Sequence, residues 1–133
     1  MIEGLNVISK EIYEANKAKG FWDKERNVGE TLMLVVTELA EAMEAHRGKG
    51  RKLDRETFER FIPISYSVPK DIEEKSFKFY FEDNIKDTFE DEIADAMIRI
   101  FDMAGGLNID LEFHIENKLK YNATRERLHG KKY

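Results

Sequence analysis

Two short pieces of the chain carry the residues best suited to chemistry, Glu38-Leu39-Ala40-Glu41 and Glu92-Ile93-Ala94-Asp95. Each sets two carboxylates three residues apart, which on a helix gives them neighbouring positions on one side. Four carboxylates gathered in one place repel each other and lose solvation unless a cation neutralises them. Oxygen donors with no histidine or thiolate among them favour Mg²⁺ or Mn²⁺ over Zn²⁺ or Cu²⁺. The competing reading is a solvated face, because such pairs arise by chance on acidic helices and this chain has 27 acidic residues. Glu44, Glu90 and Asp91 lie close enough in sequence to join either arrangement, Glu90 as a helix-end residue or an extra ligand.

The elements that must position these pairs are helices. Apolar residues recur at three- and four-residue spacing over four segments, about Leu5–Lys19, Asn27–His46, Asn84–Ala104 and Asn108–Leu128. Gly20, Gly48 with Gly50, Gly105-Gly106 and Gly130 punctuate them, and Asn108 is the expected cap of the last, with Asp110 in its first turn. At about 100° per residue the core stripe of the second helix is Val28, Leu32, Val35, Leu39 and Ala42. Glu38 flanks that stripe beside Thr31 and Leu34, and Glu41 is one step further round. In the third helix Glu92 flanks the Ile93, Met97 and Ile100 stripe, and Asp95 follows it outward. If the two helices pack antiparallel, the flanking carboxylates face one another.

The last helix is expected to turn Leu111, Ile115 and Leu119 inward and then to become polar and cationic. Lys118, Asn122 and Arg125 fall at i, i+4 and i+7 on one side, a set suited to phosphate oxygens. Cations also favour a helix C-terminus for its dipole alone, but an amide within an apolar stripe needs partners of its own. Trp22 is the only tryptophan, with two readings, a stacking surface for a base or a core residue at a helix junction. The three histidines, His46, His114 and His129, form no spaced pair for metal or acid–base work. A di-iron bundle would need two inward Glu-x-x-His motifs, and only Glu126-Arg127-Leu128-His129 occurs.

Composition narrows the field further. A chain of 133 residues is expected to be one domain, 1–133, and its 41% hydrophobic residues argue against disorder. With no cysteine there is neither a disulfide nor a thiolate metal site. No stretch approaches the roughly 20 apolar residues of a membrane span. The start, Met1-Ile2-Glu3-Gly4-Leu5, does not read as a secretory signal, so a soluble, cytoplasmic protein is expected. A net charge of −5 argues against a nucleic-acid polymer as partner but admits a small phosphorylated ligand held through a cation. Residues 51–83, with Pro63, Pro69, Ser65, Ser67 and the run Phe77 to Phe81, fit none of the four helices, apart from a short helical stretch at Asp54–Phe61. The aromatic run there reads equally as a strand, a lid or an interface patch.

Taken in order, Glu38-x-x-Glu41, Glu92-x-x-Asp95 and Lys118-x-x-x-Asn122-x-x-Arg125 resemble the MazG-like nucleotide pyrophosphohydrolases of the all-α pyrophosphatase superfamily. Gly20-Phe21-Trp22, the run Val35–Arg47 and the ending Arg127–Tyr133 extend the likeness, which covers the four helices and leaves 51–83 outside as an insert. The resemblance implies an all-α, four- to five-helix bundle with Mg²⁺, or Mn²⁺, on Glu38, Glu41, Glu92 and Asp95. It implies hydrolysis of a nucleoside triphosphate between the α- and β-phosphates, giving a nucleoside monophosphate and pyrophosphate. One carboxylate, with Glu41 the candidate, would accept the proton of water, while Lys118, Asn122 and Arg125 hold phosphate oxygens and Trp22 lies by the substrate. Members commonly form homodimers or homotetramers, and Leu34, Val35 and Val36 in a row widen the apolar arc of helix two accordingly. Phosphoribosyl-ATP pyrophosphohydrolase shares the acidic arrangement and is the neighbouring alternative. A non-catalytic helical oligomerisation or adaptor module is the alternative of a different class.

Overall fold

The computed structural model describes residues 1–65 and 70–132, with side chains at 49, 62–65, 70 and 72 outside that description. Ser67 and Pro69 of the insert and the terminal Tyr133 therefore lie outside the described residues, as do the side chains of Pro63 and Ser65. The described residues are all-helical, with six α-helices: α1 Leu5–Ala18, α2 Val28–Glu44, α3 Arg55–Ser65, α4 Lys70–Asn84, α5 Phe89–Gly106 and α6 Leu111–Ala123. Among them the one β-bridge is an isolated one between Arg51 and Thr88. Among the described residues no helix is long and apolar enough to cross a membrane.

The count exceeds the expected four or five because the insert is itself helical. Its aromatic run lies within α4, and Asn84 ends that helix instead of opening the next one. Asp54 starts α3, its Oδ1 accepting from the Thr57 amide at 2.9 Å and its Oδ2 from the Thr57 hydroxyl at 2.7 Å. The insert leaves and returns at one place. The Asp54 amide donates to the Asn84 carbonyl at 3.0 Å, and the buried Asn84 amide donates to Tyr80 at 2.8 Å. Gly50 lies so close that a Cβ there would stand 2.6 Å from Ala45 and 3.1 Å from the Asp87 carbonyl. Only glycine allows the π-type turn Ala45–Lys49, which continues α2, to meet the start of α5 this closely.

The chain divides into two compact units, Val28–Arg99 and Met1–Asn27 with Ile100–Tyr133. In Val28–Arg99 the buried line of α2 is Thr31, Val35, Glu38 and Ala42. Of the expected stripe Val35 and Ala42 are buried, whereas Val28, Leu32 and Leu39 are 46%, 48% and 49% exposed. In α5 the buried residues of this unit are Glu92 and Ala96, while Ile93 and Met97 are exposed. Small and polar residues thus face inward, and the larger apolar ones form an uncovered surface.

In the other unit Asn6 joins the starts of α1 and α6. Its side-chain amide donates to Asp110 at 2.8 Å, and its carbonyl oxygen accepts from the Leu111 amide at 3.0 Å. Asp110, not Asn108, caps α6, accepting from the Phe113 amide at 3.0 Å. Gly105 and Gly106 are the last two residues of α5, so the helix ends where these glycines were expected to end it. A Cβ at Gly105 would stand 2.4 Å from the Ser9 carbonyl, and one at Gly106 2.3 Å from the Trp22 ring. Besides standing at the helix end, these two glycines allow close approach of their neighbours.

Candidate metal centre

Glu38 lies on the buried line of α2, three residues after Val35 and four before Ala42, so the helix phase carries its carboxylate inward. Glu41, one turn on, stays exposed at the edge of the same face. Across from them, Thr88 sets the phase of α5. It is fully buried, its hydroxyl accepts from the Asp91 amide at 3.2 Å, and its carbonyl accepts from the Glu92 amide at 3.0 Å. Glu92 is thereby turned inward in the first turn of α5, where the helix dipole favours a negative charge.

One carboxylate oxygen from each of Glu38, Glu41 and Glu92 lies within 4.8 Å of the others. Glu38 is 7% and Glu92 5% exposed, so this is no freely solvated face. Glu92 Oε2 is buried without a hydrogen-bond partner. Burial, then the charges of Glu41, Asp95, Glu38 and Asp87, push the Glu92 carboxyl up to about 7. A carboxylate held in that state lacks a positive charge or a proton. An all-oxygen set with an orphaned buried oxygen fits a hard divalent cation.

Asp95 is exposed and stands outside the three-oxygen group. It still feels it, since desolvation first and then Asp91 and Glu38 raise its carboxyl, while Arg99 lowers it. Glu90 takes the helix-end place, exposed in the first turn of α5. Arg99 was not among the residues singled out from sequence. Its Nε donates to Glu38 Oε1 at 2.5 Å, so one Glu38 oxygen is committed and the carboxylate is held in place. The signal was available, because Arg99 follows Glu92 and Asp95 at i+7 and i+4 on one helix.

The basic residues belong to Met1–Asn27 with Ile100–Tyr133. Lys118 and Asn122 lie on α6, but Arg125 falls beyond its end at Ala123, because the helix stops five residues short of the expected Leu128. Lys118 Nζ and the Arg125 guanidinium stand 5.2 and 5.8 Å from the Tyr121 ring centre. Asn122 Oδ1 is buried without a partner. Trp22 is packed. Its Nε1 donates to Asp102 at 2.8 Å, Arg26 covers its face at 4.7 Å, and Tyr13 meets it edge-on at 5.1 Å. These contacts suit the core reading of this residue. Comparison with family models, with curated proteins and with solved structures gave no match.

Proposed function

We propose that this protein is a Mg²⁺-dependent nucleoside triphosphate pyrophosphohydrolase, as its resemblance to the MazG-like enzymes implies. The observation that carries the reading is the convergence of Glu38, Glu41 and Glu92, two of them buried, around an unpartnered oxygen of Glu92. Such a group is costly without a cation, and the cost is repaid when one binds.

Glu38 and Glu92 are the buried ligands in this reading, Glu41 the solvent-side one, and Asp95 adds charge from the next turn. A bound Mg²⁺ would supply neutralisation of the phosphate charge and a fixed orientation for the attacking water. Glu41, exposed at the edge of the cluster, is the carboxylate placed to take the proton from that water. Arg99 keeps Glu38 oriented through its 2.5 Å contact. Lys118, Asn122 and Arg125 offer the donors that phosphate oxygens need, and their part in the reaction rests on the resemblance. Water attack at the α-phosphorus breaks the bond to the bridging oxygen, which leaves with pyrophosphate. The half-exposed Leu32, Leu39, Met43 and Met97 are a surface suited to a homodimer or homotetramer.

A nucleotide panel with Mg²⁺, read separately for pyrophosphate and orthophosphate, tests the proposal. Equal amounts of monophosphate and pyrophosphate are expected, and none in excess EDTA. Orthophosphate and a diphosphate as first products, or undiminished turnover in EDTA, would overturn it.

A further inference from the structure

The insert brings a second feature up to the carboxylates. An open groove of about 340 Å³ is lined by Phe77, Lys78, Phe81 and Glu82 of α4, Lys86 and Asp87 of the following turn, and Asp91 and Asp95 of α5. Its volume is at the small end of the range for small-molecule sites. The floor is aromatic. Phe77 and Phe81 lie nearly parallel, 23° apart with centroids 6.0 Å from each other, and Phe58 of α3 braces both edge-on at 5.8 and 6.4 Å. Phe77 nonetheless stays 48% exposed, a large apolar ring held rigid and left open.

The rim is acidic. Glu82 and Asp87 each meet a lysine only at 3.9 Å, and Asp91 commits one oxygen to the Asp87 amide at 3.1 Å. Acceptors therefore remain for a ligand that brings its own N–H donors. Asp95, three residues after Glu92 on α5, lines this groove and so places it beside the carboxylates of the metal centre.

We propose that this groove is the base seat of the same site, with an amino-bearing base stacked on Phe77 and Phe81. The proposal rests on the triphosphate hydrolase reading and adds a substrate class to it. The exocyclic amino groups of adenine, cytosine and guanine donate to the carboxylate rim. Uracil presents a carbonyl oxygen where cytosine has its amino group, and the excess of carboxylates over lysines on the rim disfavours it. Cytosine and uracil share ring size, so CTP against UTP isolates the amino group from stacking area.

The experiment measures Mg²⁺-dependent kinetics on ATP, CTP, UTP and base-free tripolyphosphate for the full chain and for Phe77→Ala, Phe77→Tyr and Phe81→Ala. Helical circular dichroism confirms that each variant is folded. In the wild type, KM for CTP should be about tenfold below that for UTP, the discrimination expected when one polar contact is satisfied in place of repelled. Phe77→Ala should raise KM for ATP and CTP about tenfold, with kcat and the tripolyphosphate constants unchanged, and Phe77→Tyr should restore the wild-type value. Unchanged KM for ATP in both alanine variants, an equal loss on ATP and tripolyphosphate, or equal CTP and UTP constants in the wild type would each overturn the base seat while leaving the hydrolase reading standing. No turnover of any triphosphate by the wild type would overturn the hydrolase reading, and the seat with it.

Discussion

Both units of this protein bury carboxylates, and they treat them in opposite ways. Asp102, 4% exposed, has both oxygens satisfied: Trp22 Nε1 donates to one and the Arg26 guanidinium to the other, each at 2.8 Å. Arg26 in turn lies over the Trp22 ring, so charge, donor and aromatic face close on each other. Glu92, equally buried, has an orphaned oxygen and faces Glu41, Asp95 and Glu38, all of its own sign. The first arrangement is complete within the protein, and the second is completed only by something added. A buried charge that is already answered points to structure, and one left unanswered points to a ligand.

The largest test of that contrast falls on the satisfied side. Asp102→Ala leaves a mostly buried Arg26 and an indole N–H without their partner. The expected loss is about 3 kcal/mol, at the low end for a broken buried pair because Arg26 keeps some exposure. Thermal denaturation should show a fall on the order of 10 °C for a chain of this size. A fall of a degree or two would make Asp102 no more structural than a surface residue.

On the unsatisfied side, Glu41→Gln should lower turnover by about a hundredfold without lowering the melting temperature of the metal-free protein. Removing one of several mutually repelling carboxylates relieves strain, while the added stability that Mg²⁺ gives the wild type should shrink. Paired melts with and without Mg²⁺ read both effects. If Glu41→Gln lost stability as Asp102→Ala does, the contrast between the two regions would collapse.

The Glu92 carboxyl sharpens the comparison through pH. Its folded value of about 7 lies above the ordinary 4.5, so between the two the folded state keeps a proton that the unfolded chain has lost. Its stabilising contribution is therefore full below the unfolded value and is lost as pH rises through the folded one. Metal-free protein should melt lower at roughly pH 8 than at roughly pH 5 on this account, with Mg²⁺ restoring stability at the higher pH. Glu92→Gln should flatten that slope. A slope identical to wild type would show that the cluster does not hold the proton.

The smallest effect expected is that of Glu3→Gln, an exposed carboxylate ahead of α1. Turnover, Mg²⁺ stabilisation and melting should all stay near wild type, within about 0.5 kcal/mol. It serves as the zero against which Glu41→Gln is read.

The sequence by itself determined the helices and the pairing of acids. Three- and four-residue spacing marked α1, α2, α5 and α6 to within a few residues, because helical period is a local property of the chain. The spacing in Glu38-x-x-Glu41 and Glu92-x-x-Asp95 likewise placed each pair on one helix side. What it could not supply was which side faces in. Hydropathy put Leu32 and Leu39 inside, whereas the folded chain buries Thr31, Glu38 and Glu92 beside the small Ala42 and Ala96. Ranking residues by apolarity fails where a buried polar group is balanced by a partner elsewhere in the chain, as Glu38 is by Arg99, 61 residues away. The insert was legible only in its first part, where the helical stretch at Asp54–Phe61 matches the start of α3. Its aromatic run has no simple period, and only the packing of Phe58 against Phe77 and Phe81, with both ends tied at Gly50 and Asn84, makes it a helical hairpin that carries an open aromatic floor.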